Sequence, residues 1–127
     1  MPKRVLDVGN CVPDHQAIRA TIERQFDAHV ERKHSWDDTL KALREGGVDL
    51  VLVNRKLDCD YSDGIEIIHR MQADGELAGI PVMLVSNLAE HQQTAIAAGA
   101  APGFGKAELA AETTRQRLAA VLEESAL

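Results

Sequence analysis

The sequence lacks three features that would each define a class of protein. No apolar run approaches the ~18 residues that a membrane-spanning helix needs. The two cysteines, Cys11 and Cys59, show neither CxxC spacing nor a disulfide framework, so we expect reduced thiols. Lys and Arg number 14 against 20 Asp and Glu, which gives a net charge of −6. Because phosphate binding needs a concentrated excess of cations, we expect neither nucleic acid nor a membrane as a partner.

The amino-terminal segment does not resemble a secretory signal. Four residues, Met1 to Arg4, precede only a short apolar stretch, which Asp7 interrupts. A hydrophobic fraction of 45% and a charged fraction of 27% are typical of soluble globular proteins. At 127 residues the chain has the length of one domain with a core of its own. We therefore expect a single cytoplasmic domain over residues 1–127.

Strand and helix patterns alternate five times along the chain. The apolar run within residues 48–54 predicts a strand buried on both faces, as at the centre of a parallel sheet. Further strands are predicted over 4–8, 29–32, 80–86 and around Gly103 and Phe104. Helices are predicted over 13–26, after the cap residue Ser35, after the cap residue Ser62, from Asn87 to Gly99, and over about 107–124 with Ala110 facing inward. The alternation predicts an α/β fold, whose functional residues lie at the carboxyl ends of the strands.

In order and spacing these elements resemble a response-regulator receiver domain, the module of bacterial two-component signal transduction. The resemblance covers essentially the whole chain. The residues that carry it are the strand at 48–54, the helix start Asp63-Gly64-Ile65, the strand at 80–86, Gly99-Ala100 and Lys106. It implies a flavodoxin-like (βα)5 fold, a doubly wound five-stranded parallel sheet with strand order 2-1-3-4-5. It also implies a role in a phosphorelay.

The chain departs from the receiver pattern at the residues that carry the chemistry. Receivers accept a phosphoryl group on an Asp at the end of the third strand, with Mg²⁺ held by that Asp and by an acidic pair that ends the first strand. Here the acceptor position is Asn54, and the acidic-pair positions are Gly9 and Asn10. An amide is a poor nucleophile, and Mg²⁺ prefers carboxylate oxygens. The two phosphoryl-contacting positions retain Ser86 and Lys106.

These departures predict a degenerate receiver, or pseudo-receiver, that is not an enzyme and holds no metal or cofactor. Gly103 stands where receivers usually have a switch aromatic, so we expect that switch to be absent. The resemblance implies contact with a protein partner or a second copy through the fourth helix, fifth strand and fifth helix. The alternative is a small-ligand module, in which Lys106, Asn54, Ser86 and the backbone of Gly9 recognise an anion or nucleotide-like group without metal.

Several carboxylates near the expected pocket have two possible roles. Asp7 either forms local hydrogen bonds at the end of the sheet or, in a shifted register, reaches the pocket. Three more, Asp58, Asp60 and Asp63, are expected to form a solvated loop and a helix first turn rather than a metal site. With few carboxylates around it, Lys106 is expected to contact a backbone carbonyl, Asp7 or a bound anion.

Two shorter motifs resemble other families less well. Residues 5–9 are similar to the first motif of S-adenosylmethionine-dependent methyltransferases, but Cys11 and Pro13 stand where glycines should follow. Residues 100–107 are similar to a P-loop but lack its leading Gly and its Ser or Thr. The histidines have no HxxxH or HxH spacing, and we expect four or five of them at the surface: His15, His29, His34, His69 and His91.

Overall fold

The computed structural model describes residues 2–123, in which five parallel strands form one sheet with helices on both faces. The strand order is β2-β1-β3-β4-β5, as the resemblance implies. In chain order the elements are β1 (Lys3–Val8), α1 (Val12–Gln25), β2 (Ala28–Lys33), α2 (Trp36–Glu45), β3 (Leu50–Asn54), α3 (Ile65–Ala73), β4 (Val82–Val85), α4 (Ala89–Ala97), β5 (Ala101–Phe104) and α5 (Glu112–Leu122). No helix within residues 2–123 is long and apolar enough to cross a membrane. The predicted fold class is confirmed.

The central strand β3 is buried on both faces, and its side chains alternate between two apolar layers. Val51 and Val53 belong to the layer that holds the inward residues of α2 and α3. Leu50 and Leu52 belong to the opposite layer, with the inward residues of α1 and α5. Strand β3 lies between β1 and β4, in the middle of the sheet. Its last residue, Asn54, therefore lies in the middle of the carboxyl edge of the sheet.

Two helices begin later than the sequence predicts, because the residues expected to cap them make other contacts or none at the helix start. Helix α3 starts at Ile65, whose backbone N–H donates to Asp63 Oδ1 at 2.9 Å, so Ser62 is not its cap. Helix α4 starts at Ala89 rather than at Asn87. The Asn87 side chain instead accepts a hydrogen bond from the backbone N–H of Ala107 at 3.0 Å, which ties the end of β4 to the segment after β5.

The last helix is shorter than predicted. A 3₁₀ turn over Lys106–Glu108 precedes it, and α5 begins only at Glu112. The Thr114 hydroxyl donates to the carbonyl of Glu108 at 2.7 Å, which holds this turn against the helix. Ala110 therefore lies in the connection and is exposed, contrary to the prediction that it faces inward. The predicted end of the helix, at residue 124, lies outside the described residues.

The connection from β3 to α3 folds into a small hairpin over the edge of the sheet. Lys56 and Asp63 form an antiparallel bridge, and the Leu57 N–H donates to the Ser62 carbonyl at 2.9 Å. The Asp58 N–H donates to the carbonyl of Gly9 at 2.9 Å, which anchors the hairpin to the end of β1. These bonds hold the Leu57 side chain in the core, where it is only 3% exposed.

Candidate functional site

Two adjoining clefts open at the carboxyl edge of the sheet, where β1, β3, β4 and β5 end. The larger cleft has a volume of about 480 Å³ and is lined by Asn54, Arg55, Lys56, Val85, Ser86, Asn87, His91 and Lys106. The smaller cleft has a volume of about 260 Å³ and is lined by Gly9, Cys11, Asp14, Asn54, Lys56, Leu57, Asp58, Tyr61 and Lys106. Asn54 lies between the two clefts, as its position at the end of β3 requires.

The Asn54 amide is engaged with backbone oxygens. Its Nδ2 donates to the carbonyl of Lys56 at 2.6 Å and lies 3.4 Å from the carbonyl of Gly9. An amide nitrogen suits this position because both partners are acceptors. A carboxylate there would face two carbonyl oxygens with no proton to share.

Gly9 lies at the end of β1 in a conformation that excludes a side chain. Its φ is +82°, in the left-handed region that favours glycine. A Cβ at this position would lie 2.4 Å from Leu57 Cδ2 and 3.0 Å from Leu57 Cα. Its backbone groups are also occupied, because the N–H donates to Lys33 at 2.9 Å and the carbonyl accepts from Asp58. Leu57 therefore fills the space that an acidic side chain at this position would need.

Asn10, the second acidic-pair position, points away from both clefts. It is completely buried and donates from Nδ2 to Asp7 Oδ1 at 2.5 Å. The other carboxylate oxygen of Asp7 lies 2.7 Å from His15 Nδ1. Asp7, also completely buried, thus forms local hydrogen bonds at the end of the sheet and lines neither cleft. Of the two roles open to Asp7 in the sequence, the structure selects the local one.

Ser86 and His91 form a hydrogen-bonded pair in the larger cleft. Ser86 Oγ lies 2.9 Å from His91 Nδ1 and accepts from the N–H of Leu88 at 3.2 Å. His91 is half-buried in the first turn of α4, and His15 is a buried residue of α1. His29, His34 and His69 are exposed, and the half-buried His91 lines the larger cleft, so His15 is the one histidine of the five that does not reach the surface. The sequence signal for this pair was that His91 follows Ser86 by five residues, across the turn into α4.

Lys106 has a carboxylate partner that the sequence analysis missed. Its Nζ donates to Asp14 Oδ2 at 2.8 Å, rather than to a backbone carbonyl, to Asp7 or to an anion. Asp14 lies in the first turn of α1, which begins at the same edge of the sheet. The sequence signal for this partner was that Asp14 is the lone carboxylate in the first turn of the helix after β1. The hydrogen bond from Lys106 holds the pKa of Asp14 below its usual range.

We expect the Asp14 carboxyl to titrate below the normal range in carboxyl-carbon NMR, and the Lys106→Met variant to raise that pKa. Because the folded-state pKa is lowered, the pair stabilises the fold above the unfolded-state pKa, and this contribution is lost as the pH falls through the folded value. Lys41→Met, on the exposed face of α2, is the matched control. An unchanged Asp14 titration in Lys106→Met would contradict the assignment.

Gln92 and Gly103 form a hydrogen-bonded link between β4, β5 and α4 at the position where receivers usually have a switch aromatic. Gln92 Nε2 donates to the carbonyls of Leu84 and Ser86 at 2.9 and 3.1 Å, and its Oε1 accepts from the Gly103 N–H at 3.0 Å. A Cβ at Gly103 would lie 2.2 Å from the carbonyl oxygen of Leu84. The backbone here leaves no room for an aromatic side chain.

The acidic residues of the β3–α3 hairpin support backbone turns. Asp60 Oδ1 accepts from the Ser62 N–H at 2.9 Å, and Asp63 Oδ1 accepts from the N–H of Ile65, the first residue of α3. Asp58 lies 3.7 Å from Arg32 Nη2. Each carboxylate thus has a local role of the kind expected for a solvated loop and a helix first turn.

We expect the Asn54→Asp variant to remain unlabelled by acetyl phosphate in Mg²⁺. The new carboxylate would share the smaller cleft with Asp14 and Asp58, but Asp14 is bonded to Lys106 and Asp58 faces Arg32. Metal neutralisation supplies much of the rate of phosphoryl transfer, and it needs carboxylates that are free to bind Mg²⁺. Intact-mass spectrometry measures the outcome. Efficient labelling of the variant would show that Asp14 or Asp58 already serves as a metal ligand.

Solved structures similar to this chain include response regulators, although no protein-family model matches the sequence. A response regulator from Thermotoga maritima has a TM-score of 0.77 at 17% identity, over 98% of this chain and 100% of its own. The phosphorylated cyanobacterial phytochrome response regulator RcpA has a TM-score of 0.77 at 16% identity, over 100% and 99%. The chemotaxis response regulator CheY4 of Vibrio cholerae has a TM-score of 0.72 at 16% identity, over 92% and 99%. This chain therefore has the fold of response-regulator receiver domains.

Proposed function

We propose that this chain is a phosphorylation-independent receiver domain, a pseudo-receiver that acts in signal transduction by binding a protein partner or a second copy. It is not an enzyme in this proposal, and it works in the cytoplasm. The observation that carries the proposal is the packing of Leu57 against Gly9. The acceptor Asp is replaced by Asn54, and the space for its acidic neighbour is filled by the core of the protein itself.

The face formed by α4, β5 and α5 is the proposed contact surface. Ile96 on α4 is 45% exposed, and Leu88, just before α4, is 51% exposed. An apolar groove of about 290 Å³ runs between β5 and α5, lined in part by Ala101, Pro102 and Val121. Exposed apolar side chains of this kind favour association when they cluster on one face.

The contact is expected to use side chains rather than strand addition to β5. Pro102 has no N–H to offer a partner strand. The Gly103 N–H is bonded to Gln92, and its carbonyl accepts from Arg117 Nη1 at 2.6 Å. Two of the four residues of β5 therefore present no free backbone donor for a ladder.

The experiment that tests the proposal compares binding with and without a phosphoryl donor. Self-association is measured by light scattering over a range of concentrations, and partner capture by pull-down, each with Mg²⁺ and with or without acetyl phosphate. We expect acetyl phosphate to change neither. Ile96→Asp should weaken the association, whereas Val12→Asp, a 47%-exposed apolar residue on α1, should not. Association that rises with acetyl phosphate would overturn the proposal.

A second candidate function is metal-independent binding of a small anion or nucleotide-like ligand in the vacated pocket. The composition of the larger cleft favours it, because the eight lining residues include Arg55, Lys56 and Lys106 and no carboxylate. The two candidates use different surfaces, so one chain could perform both.

A further inference from the structure

The larger cleft concentrates positive charge in an acidic protein. The chain has a net charge of −6, yet Arg55, Lys56 and Lys106 line one cleft of about 480 Å³ with no carboxylate among its lining residues. They converge because β3 and β5 end at the same edge of the sheet, so that the residues following each strand reach the same space. A cleft lined by charges of one sign focuses the electrostatic potential and attracts ions of the opposite sign.

The three cations differ in how far they are neutralised. Lys106 donates to Asp14 at 2.8 Å, and Arg55 lies 3.4 Å from Asp63 Oδ1. Lys56 is exposed, and within residues 2–123 its ammonium pairs with no carboxylate. Lys56 is thus the charge in this cleft that is most available to a ligand.

Neutral polar groups in the same cleft are held in place by backbone bonds. Asn87 Oδ1 accepts from the Ala107 N–H, which leaves the Asn87 amide hydrogens for another acceptor. The Ser86 hydroxyl accepts from Leu88 and lies within hydrogen-bond distance of His91. The cleft therefore combines charge with fixed amide, hydroxyl and imidazole groups, which are the groups that recognise a compact oxyanion.

We propose that this cleft binds the phosphate group of a small phosphate ester, or inorganic phosphate, directly and without metal. Lys56 and Lys106 supply the charge, and Asn87 and Ser86 supply neutral hydrogen bonds. The proposal rests on the second candidate function. It removes the backbone of Gly9 from the groups expected to bind the ligand, because the Gly9 N–H and carbonyl already bond to Lys33 and Asp58. Lys56, Arg55, Asn87 and His91 were not part of the set expected from the sequence.

The test is a titration followed by amide NMR at constant ionic strength, with chloride as the balancing ion and EDTA present. Inorganic phosphate and phenyl phosphate are the two probes, which separate a free-ion site from an ester site. We expect saturable shifts confined to residues 54–56, 86–88 and 106–107. Lys56→Gln should weaken binding about fivefold, as the loss of one exposed charge contact implies. Lys41→Gln, an exposed lysine of α2 outside the cleft, should leave the affinity unchanged.

Non-saturating shifts, or equal weakening in the two lysine variants, would show only diffuse electrostatic attraction and would overturn the proposal. Binding that is absent in EDTA but appears when the titration is repeated without it would overturn the metal-free mechanism. The amide spectrum of Lys56→Gln reports whether the variant is folded, and Arg55→Gln is a second variant of the same cleft. A covalent adduct formed by acetyl phosphate would sink the phosphorylation-independent function while leaving this site standing, so the two failures are distinguishable.

Discussion

Gly9→Asp is expected to lower the free energy of unfolding by about 2–5 kcal/mol. Holding a residue other than glycine at a φ of +82° costs about 1–2 kcal/mol. Forcing a side chain into the space of Leu57 adds the 1–3 kcal/mol that is typical of overpacking, since Leu57 Cα lies only 3.0 Å from the new Cβ. Urea denaturation measures the loss. Restoring an acidic residue at this position therefore damages the fold instead of rebuilding a magnesium site.

Gly47→Asp is the matched control for that change. Gly47 also has a positive φ, +79°, but a Cβ there would meet nothing within 4 Å. It should cost only the backbone part, about 1–2 kcal/mol. If the two variants lose the same free energy, the clash with Leu57 is not significant and the closed pocket is not the reason for glycine at position 9.

Leu57→Ala is expected to cost about 2–5 kcal/mol, the range for a leucine truncated in a packed core. Leu57 is 3% exposed and belongs to the apolar layer that includes Val8, Val53 and Ile67. The truncation should also make Gly9→Asp less harmful, because the space above Gly9 is then partly empty. In a double-mutant cycle we expect the two changes to couple by about 1–2 kcal/mol.

Leu77→Ala provides the control for the cycle. Leu77 is also 3% exposed in the same apolar layer, but none of the three atoms nearest to a Cβ at Gly9 belongs to it. It should show a similar cost alone and no coupling to Gly9→Asp. Equal coupling for both leucines would mean that Gly9→Asp destabilises the protein as a whole rather than through contact with Leu57.

The fold could be predicted from the sequence because strand and helix patterns are local and periodic. The apolar run of β3 and the alternation of elements fixed the sheet, and the resemblance supplied the strand order that the structure shows. Helix starts were less predictable, because a capping residue competes with others nearby. Asp63 rather than Ser62 accepts from the first N–H of α3, and Asn87 bonds to Ala107 instead of opening α4.

The sequence predicted where the site lies but not which contacts its residues make. Asn54, Ser86 and Lys106 line the larger cleft because each follows the end of a strand. The partners of these residues depend on contacts between distant segments, which no local pattern reveals. The bond from Lys106 to Asp14 joins residues 92 positions apart, and the contact of Leu57 with Gly9 joins the hairpin to β1.

The most direct test of the central claim is the intact mass of the natural chain after incubation with acetyl phosphate and Mg²⁺. The cyanobacterial regulator RcpA, whose solved structure is of the phosphorylated protein, is the positive control. We predict that RcpA gains a phosphoryl group and that this chain keeps its mass, because Asn54 cannot form an acyl phosphate and Leu57 closes the space beside Gly9. A stable phosphoryl adduct on any aspartate of this chain, for example Asp58 at the smaller cleft, would contradict the account.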